Sequence, residues 1–316
     1  MNSHQGLFGG NIPQDVTGKQ GENAIFIVYG LKQSNNTIKQ VKDLCANFSA
    51  LIRSMRNRFP EMQFSCTIGF GADAWKQLFP EQDNPKELKT FETIKGAKYT
   101  AVSTPGDILL HIRAKQMGLC FEFASIIDEK LKGVVDSIDE THGFRYMDGK
   151  AIIGFVDGTE NPAVDENPYH FAVIGDEDPD FIGGSYVFVQ KYIHDMTAWN
   201  SLPVEAQEKV IGRHKYNDVE LSDEEKPQNA HNAVTNIGDD LKIVRANMPF
   251  ANTSKGEYGT YFIGYASTFS TTRRMLENMF IGSPAGNTDR LLDFSTAITG
   301  TLFFAPSYDL LGELGE

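Results

Sequence analysis

Asp157 and Glu160 stand three positions apart in Gly154-Phe155-Val156-Asp157-Gly158-Thr159-Glu160-Asn161-Pro162, a glycine-punctuated turn that directly follows the apolar triplet Ala151-Ile152-Ile153. Carboxylates set behind an apolar run can hold a polar group or pass it a proton. Gly154 and Gly158 permit backbone angles closed to other residues, so the turn can aim Asp157 inward. An ordinary Asp-Gly turn with a proline stop accounts for the same letters. A glycosidase pair fits poorly, because its two carboxylates face each other across a cleft rather than sharing one turn.

His231 lies in Pro227-Gln228-Asn229-Ala230-His231-Asn232-Ala233. Small neighbours leave room for something broad beside the imidazole, and histidine is a common axial ligand of haem iron. A lone histidine also serves as a surface or capping group. Arg245 follows Leu241-Lys242-Ile243-Val244 and precedes Ala246-Asn247-Met248-Pro249-Phe250. A guanidinium entering apolar surroundings needs an anionic or strongly polar partner, which an interdomain ion pair would also supply. Gly69-Phe70-Gly71-Ala72-Asp73-Ala74 matches the loose dinucleotide fingerprint after a strand. Pro80 soon interrupts the helix, and no second βαβ repeat follows, which argues against a nicotinamide site.

These residues need a scaffold, and 316 residues with 41% hydrophobic content suffice for one large core or two ordinary ones. The length favours two domains. A net charge of -13 and a pI near 5.0 disfavour a nucleic-acid surface, which needs a positive footprint. Cys45, Cys66 and Cys120 are odd in number and each sits in an apolar run, as expected of buried thiols in a reducing compartment. Met1-Asn2-Ser3-His4-Gln5-Gly6 lacks the basic and apolar regions of an export signal, and no stretch reaches membrane-spanning length. An acidic, soluble, cytoplasmic protein without nucleic-acid or membrane partners is expected.

Ala24-Ile25-Phe26-Ile27-Val28-Tyr29 predicts a strand, and Ile38, Val41, Leu44, Cys45, Phe48, Leu51, Ile52 and Met55 then recur with helical period. Strands at Gln63 to Ile68 and Ile108 to Ile112, a helix from Gln116 to Leu131, and a last strand within Gly133 to Tyr146 complete a ferredoxin-like order. The second half repeats it coarsely: a strand at Ser185 to Gln190, a helix at Ser201 to Val210 started by Pro203, strands at Leu241 to Val244 and Thr260 to Tyr265, and a helix at Thr271 to Phe280. Asp176 to Asp180 and Asn217 to Asn229 read as surface loops, and the domain boundary falls near Tyr146.

Taken in order, several motifs resemble the dye-decolorizing peroxidases, particularly their cytoplasmic B-type branch. They are Gly143-Phe144-Arg145-Tyr146, the Gly154 to Pro162 turn, Gly183-Gly184-Ser185-Tyr186, Ile211-Gly212-Arg213, Ala230-His231, Val244-Arg245-Ala246-Asn247-Met248-Pro249 and Tyr261-Phe262-Ile263-Gly264-Tyr265. Asp293-Phe294-Ser295 and Phe303-Phe304-Ala305-Pro306-Ser307 complete the set. They span residues 143 to 307, whereas the first 140 residues contribute compatible element order. The resemblance implies an α+β chain of two ferredoxin-like domains, residues 1–146 and 147–316, with haem b held mainly by the second. It makes His231 the axial ligand of the haem iron, Asp157 and Arg245 the distal pair, and Asn247 their polar neighbour. It sets Arg213 on a haem propionate, Glu160 and Asn161 along the same side of the cofactor, Phe262 and Phe303 as pocket walls, and Asp293 as the carboxylate behind His231.

The implied activity is reduction of hydrogen peroxide with oxidation of dyes or small aromatic electron donors through an oxyferryl intermediate. Donors too bulky for the pocket would react at the surface through tyrosine or tryptophan relays, with neither Trp75 nor Trp199 singled out. An acidic protein should receive anionic donors better as its carboxylates protonate, so activity is expected at low pH. The resemblance also implies a homo-oligomer, a dimer or higher. The competing reading is a haem-binding or haem-handling protein, including one that releases iron from porphyrin, with incidental peroxidase activity. Compartment cargo would need a docking tail, and Leu311 to Glu316 leaves little room for one after the last motif.

Overall fold

The computed structural model describes residues 10–18, 21–163 and 165–316. The hexapeptide Met1 to Gly6, read above for an export signal, lies outside them. The first half runs β1 (Asn23–Leu31), α1 (Thr37–Arg58), β2 (Ser65–Gly71), α2 (Ala72–Leu78), β3 (Ile94–Lys95), β4 (Thr100–Ala101), β5 (Ile108–Ala114), α3 (Met117–Lys130) and β6 (Val135–Phe144). The second half runs α4 (Pro168–Ala172), β7 (Ser185–His194), α5 (Met196–Ser201), α6 (Val204–Ile211), α7 (His231–Thr235), β8 (Val244–Arg245), β9 (Met248–Asn252) and β10 (Glu257–Ala266). Helix α8 (Phe269–Phe280), β11 (Ser295–Ala297), β12 (Thr301–Ala305) and α9 (Tyr308–Leu314) complete it.

Ten strands form one sheet along the path β6-β1-β5-β2-β12-β7-β10-β8, with β11 beside β7 and β9 beside β10. Within each half the principal strands lie in the order fourth, first, third, second, which is the ferredoxin-like arrangement. Both units are antiparallel, and β2 joins β12 through Gly71 opposite Phe303 and Phe70 opposite Phe304. The glycines of the apparent dinucleotide fingerprint serve this region. A Cβ on Gly71 would come within 2.2 Å of the Gly106 carbonyl oxygen, and one on Gly69 within 3.1 Å of Phe303 Cβ. Close backbone approach, rather than a phosphate, accounts for them.

The unbroken apolar run of β1 follows from burial on both faces. Ile25, Ile27 and Tyr29 join the core built on α1, to which Val41, Leu44, Cys45, Phe48, Ile52 and Met55 contribute. Ala24, Phe26 and Val28 belong to a second core with Val187, Val189, Tyr261 and Ile263 of the other half. Alternation therefore sends successive β1 residues into different cores.

Two elements differ from the sequence expectation. The helix expected over Ser201 to Val210 starts later, as α6 at Val204 with Pro203 as its N-cap as expected, while Ser201 closes the separate α5, since Pro203 disfavours helical angles at Leu202. The strand expected at Leu241 to Val244 shortens to Val244–Arg245. Residues before it follow a turn in which Leu241 N–H donates to the Gly238 carbonyl, with Gly238 at φ +108°.

Phe303 is also corrected. It is fully buried in the second core rather than on the cavity described below, and its ring tip lies 2.8 Å from where a Cβ on Gly106 would stand. Phe303→Ala should lower unfolding free energy by about 3–5 kcal/mol, the usual range for removing a buried phenylalanine. Urea unfolding checks this, with a reduced midpoint expected.

Candidate active site

The Gly154 to Pro162 turn is shaped by its glycines and braced from behind. Gly154 and Gly158 adopt φ of +92° and +86°, where a side chain would be strained. Ala151 N–H donates to the Phe155 carbonyl at 2.8 Å, and Asp157 N–H donates to the Gly149 carbonyl at 3.1 Å. From α5, the buried Trp199 donates its indole N–H to the Ile153 carbonyl at 2.9 Å and meets the Phe155 ring edge-on at 6.1 Å. Held this way, Ile153, Phe155 and Asp157 border a cavity of about 1000 Å³, a volume that includes the solvent at its open mouth.

Arg245 and Asn247 enter the same cavity from β8 and the residues just beyond it. Asn247 connects two groups: its Nδ2 donates to Asp157 Oδ1 at 3.2 Å, while its Oδ1 accepts the Ile263 backbone N–H at 3.1 Å. The Asp157 carboxylate is thereby tied to strand β10. Asn161 clamps the arginine backbone, accepting Arg245 N–H at 2.9 Å and donating to its carbonyl at 2.9 Å. Burial pushes the Arg245 pKa down, and the negative charges of Asp157 and then Glu160 oppose that shift. Guanidinium stays protonated in proteins, so a cation is fixed at the cavity wall.

His231, first residue of α7, lines the cavity too. Its Nδ1 lies 2.6 Å from Oδ2 of Asp289, a carboxylate with no exposed surface that also accepts the Leu291 N–H at 2.8 Å. Asp289 replaces Asp293 as the carboxylate behind the histidine. Asp293 instead engages Lys98 and Tyr99. The sequence offered little signal for Asp289, which lies 58 positions from His231. With Nδ1 occupied, Nε2 is the nitrogen free to ligate a metal.

Phe262 lines the cavity from β10, as expected, and Phe303 does not. Glu160 and Asn161 border an adjacent polar cavity that shares Thr235, Ile243, Arg245 and Met275 with the first. Arg213 lines neither; its Nη1 donates to Glu160 at 3.0 Å and its Nε to Asp218 Oδ1 at 3.1 Å. A cofactor carboxylate at Arg213 would have to share or displace Glu160. Two further lining residues escaped the sequence reading. His194 is fixed between Ser295 Oγ at 2.7 Å and Thr260 Oγ1 at 2.9 Å, and Tyr192 is raised above the usual phenol range by burial and by the Asp289 charge.

The cavity tests well for haem. It is broad, Ile153, Phe155, Phe262, Leu276, Met279 and Leu292 give it apolar walls, and one histidine is pre-oriented by a buried carboxylate. A duplicated ferredoxin-like fold with this pocket defines a haem-peroxidase class of protein.

Comparison with known proteins specifies the class. The family models "Dyp-type peroxidase, N-terminal" and "Dyp-type peroxidase, C-terminal" match residues 13–145 and 148–310. A dye-decolorizing peroxidase of Rhodococcus erythropolis is 49% identical over 306 residues, covering 96% of this chain and 89% of that protein. The crystal structure of a dye-decolorizing peroxidase from Bacteroides thetaiotaomicron superposes with a TM-score of 0.97 at 87% identity, covering 98% of this chain and 100% of that one. A variant of DypB from Rhodococcus jostii RHA1 in complex with heme gives a TM-score of 0.91 at 45% identity, covering 96% and 98% of the two chains. The chain belongs to the Dyp-type peroxidase family.

His194 links this pocket to pH. Burial lowers its pKa from 6.5 to about 4, so between those values the unfolded chain binds a proton that the folded chain refuses. Stability therefore rises with pH through that interval: the contribution is full above about pH 6.5, falls as the pH drops toward 4, and changes no further below. The shift corresponds to roughly 3 kcal/mol. Urea unfolding at pH 7 and pH 4.5 should show a smaller loss in His194→Gln than in the parent chain.

Proposed function

We propose that this protein works as a haem-dependent peroxidase whose distal chemistry is carried by Asp157 and Arg245 and whose cofactor is anchored by His231. It is an oxidoreductase that takes hydrogen peroxide as oxidant and oxidises reducing substrates. One observation carries the residue assignment: an imidazole tied to a buried carboxylate shares one cavity with a carboxylate, a fixed guanidinium and an amide. Haem b, bound through His231 Nε2, would supply an iron centre that takes up peroxide and accepts electrons singly.

Asp157 is the proton shuttle. Asn247 engages Oδ1, leaving Oδ2 to accept the proton of incoming peroxide and return it to the departing oxygen. Arg245 places a permanent positive charge where negative charge develops as the O–O bond breaks, and Asn161 fixes its backbone so that little reorganisation is needed. Asp289 holds the His231 tautomer with hydrogen on Nδ1 and leaves Nε2 as the ligating nitrogen. Phe262 supplies an apolar wall to the pocket, while Arg213 offers a cation to a cofactor carboxylate. The relatives named dye-decolorizing peroxidases support turnover over mere haem handling.

Small aromatic donors and dyes fit the same reading, the bulkier ones reacting at the surface. Net charge of -13 repels anionic donors near neutrality, so their binding should improve as pH falls, until the stability lost through His194 intervenes. The three buried cysteines support a cytoplasmic setting, and among the described residues no helix is long and apolar enough to cross a membrane. The division into residues 1–146 and 147–316 and assembly as a homo-oligomer belong to this reading.

His231→Ala should abolish the Soret band of haem-supplied protein. Asp157→Ala and Arg245→Leu should retain the band and slow its peroxide-induced change by about 10²–10³-fold, the range of a lost proton shuttle or charge stabiliser. Stopped-flow absorbance checks both, and an unchanged rate in Asp157→Ala removes that residue from the proton path.

A further inference from the structure

On the face of β10 turned away from the cavity lies a polar pair that the peroxide chemistry above does not use. Tyr265 Oη lies 2.7 Å from Nδ1 of His111, a β5 residue of the other half, and both side chains are fully buried. The imidazole is stacked on Phe26 at 4.7 Å and 12°, and Phe26 is stacked in turn on Tyr261 at 4.0 Å and 14°. Among the described residues, His111 Nε2 has no hydrogen-bond partner. Burying a phenol and an imidazole among Val28, Leu109 and Ile263 is costly, and an orphaned nitrogen adds to the cost, so the pair calls for a reason beyond packing.

Its protonation pattern can be worked out. Burial first, and the Arg113 charge second, push the His111 pKa well below 6.5, so the ring is neutral. If Nδ1 carried the hydrogen, it would donate to the phenol, orphaning the Nε2 lone pair and depriving the phenolic hydrogen of this acceptor. With hydrogen on Nε2, Nδ1 accepts the phenolic proton, and the phenol's other polar neighbour is the Thr67 hydroxyl. Tyr265 thus points its proton at a vacant base. It is also close to the active site in the sheet: Phe262, three positions back on the same strand, lines the cavity, and its register partner Val244 directly precedes Arg245.

We propose that Tyr265 and His111 form a redox-active pair, in which the phenol gives one electron to the peroxide-oxidised haem while its proton moves to His111 Nδ1. The phenolic O–H bond breaks, an N–H bond forms, a neutral tyrosyl radical and an imidazolium result, and the haem centre is reduced by one electron. A phenol that loses an electron becomes a strong acid, so even a weakly basic imidazole captures the proton. When no donor is present, the pair draws an oxidising equivalent away from the cofactor, and a later reductant restores it. The inference rests on the haem-peroxidase reading.

The test is rapid freeze-quench electron paramagnetic resonance of the haem-loaded enzyme mixed with one equivalent of hydrogen peroxide and no donor, with the Soret band followed in parallel. A tyrosyl signal showing an exchangeable proton and, in protein labelled with ¹⁵N-histidine, a nitrogen coupling is expected. Tyr265→Phe should lose that signal while the peroxide-induced Soret change persists. A tyrosyl signal undiminished in Tyr265→Phe, or a normal Soret change in the parent enzyme with no tyrosyl signal, overturns the pair and leaves the peroxidase reading intact. Absence of any Soret change overturns both. Should Tyr265→Phe fail to fold, the labelled parent protein decides: a tyrosyl radical without imidazole nitrogen coupling defeats the assignment.

Discussion

Strand β10 has no solvent-facing side across its central residues, and the alternation that results organises the molecule. Thr260 and Phe262 point to the haem-sized cavity, while Tyr261, Ile263 and Tyr265 enter the core shared with the first half. A slip of one residue would exchange these sets, emptying the pocket wall and burying a misfit in the core. Pairing with β7 over eight positions, and with β8 and β9 on the other side, fixes the register. The same register brings the Ile263 N–H to Asn247 and thereby holds Asp157. Cavity chemistry and the packing between the two halves are two faces of one strand.

Local signals in the sequence carried most of this architecture. The helical period from Ile38 to Met55, the apolar runs of β1 and β7, and the repeated strand–helix order suffice for two ferredoxin-like units. Gly154 and Gly158 identified the turn because left-handed backbone leaves a residue-type signature. His231, Arg245 and Asn247 were legible through motif resemblance. What stayed hidden was distance-dependent. Asp289 and Asp293 are equally plausible letters, and only the path from α8 to β11 decides which reaches His231. The buried Asp289 caps the turn at Leu291, whereas Asp293 faces Lys98 and Tyr99. Phe303 shows the same limit, since an aromatic residue on a strand buried on both faces can point either way.

Charge is arranged in the pocket as fixed cation, tethered carboxylate and neutral imidazole. The Asn161 side chain clamps the Arg245 backbone, which fixes the point from which the guanidinium extends. Asp157 is tethered to Asn247 through Oδ1. His194 is kept uncharged between two hydroxyl groups, and the pocket thereby avoids a second buried cation near Arg245. The distribution sets a guanidinium on a clamped backbone beside a carboxylate held through Oδ1, the arrangement that the proposed proton transfer would use.

The junction of β2 with β12 has a consequence for synthesis on the ribosome. Strand β2 appears early, yet its partner comes some 230 residues later, so the first unit emerges with an open edge that nothing in its own half can cover. Throughout translation of the intervening chain that edge is available to wrong partners, including the same edge on a neighbouring nascent chain. The glycines at positions 69 and 71 weaken the intrinsic strand preference of this edge and permit close approach when β12 arrives. The cavity, whose lining runs from Ala151 to Ser295, is completed in sequence just ahead of β12, so the whole pocket and the sealed sheet both wait on the last part of the chain.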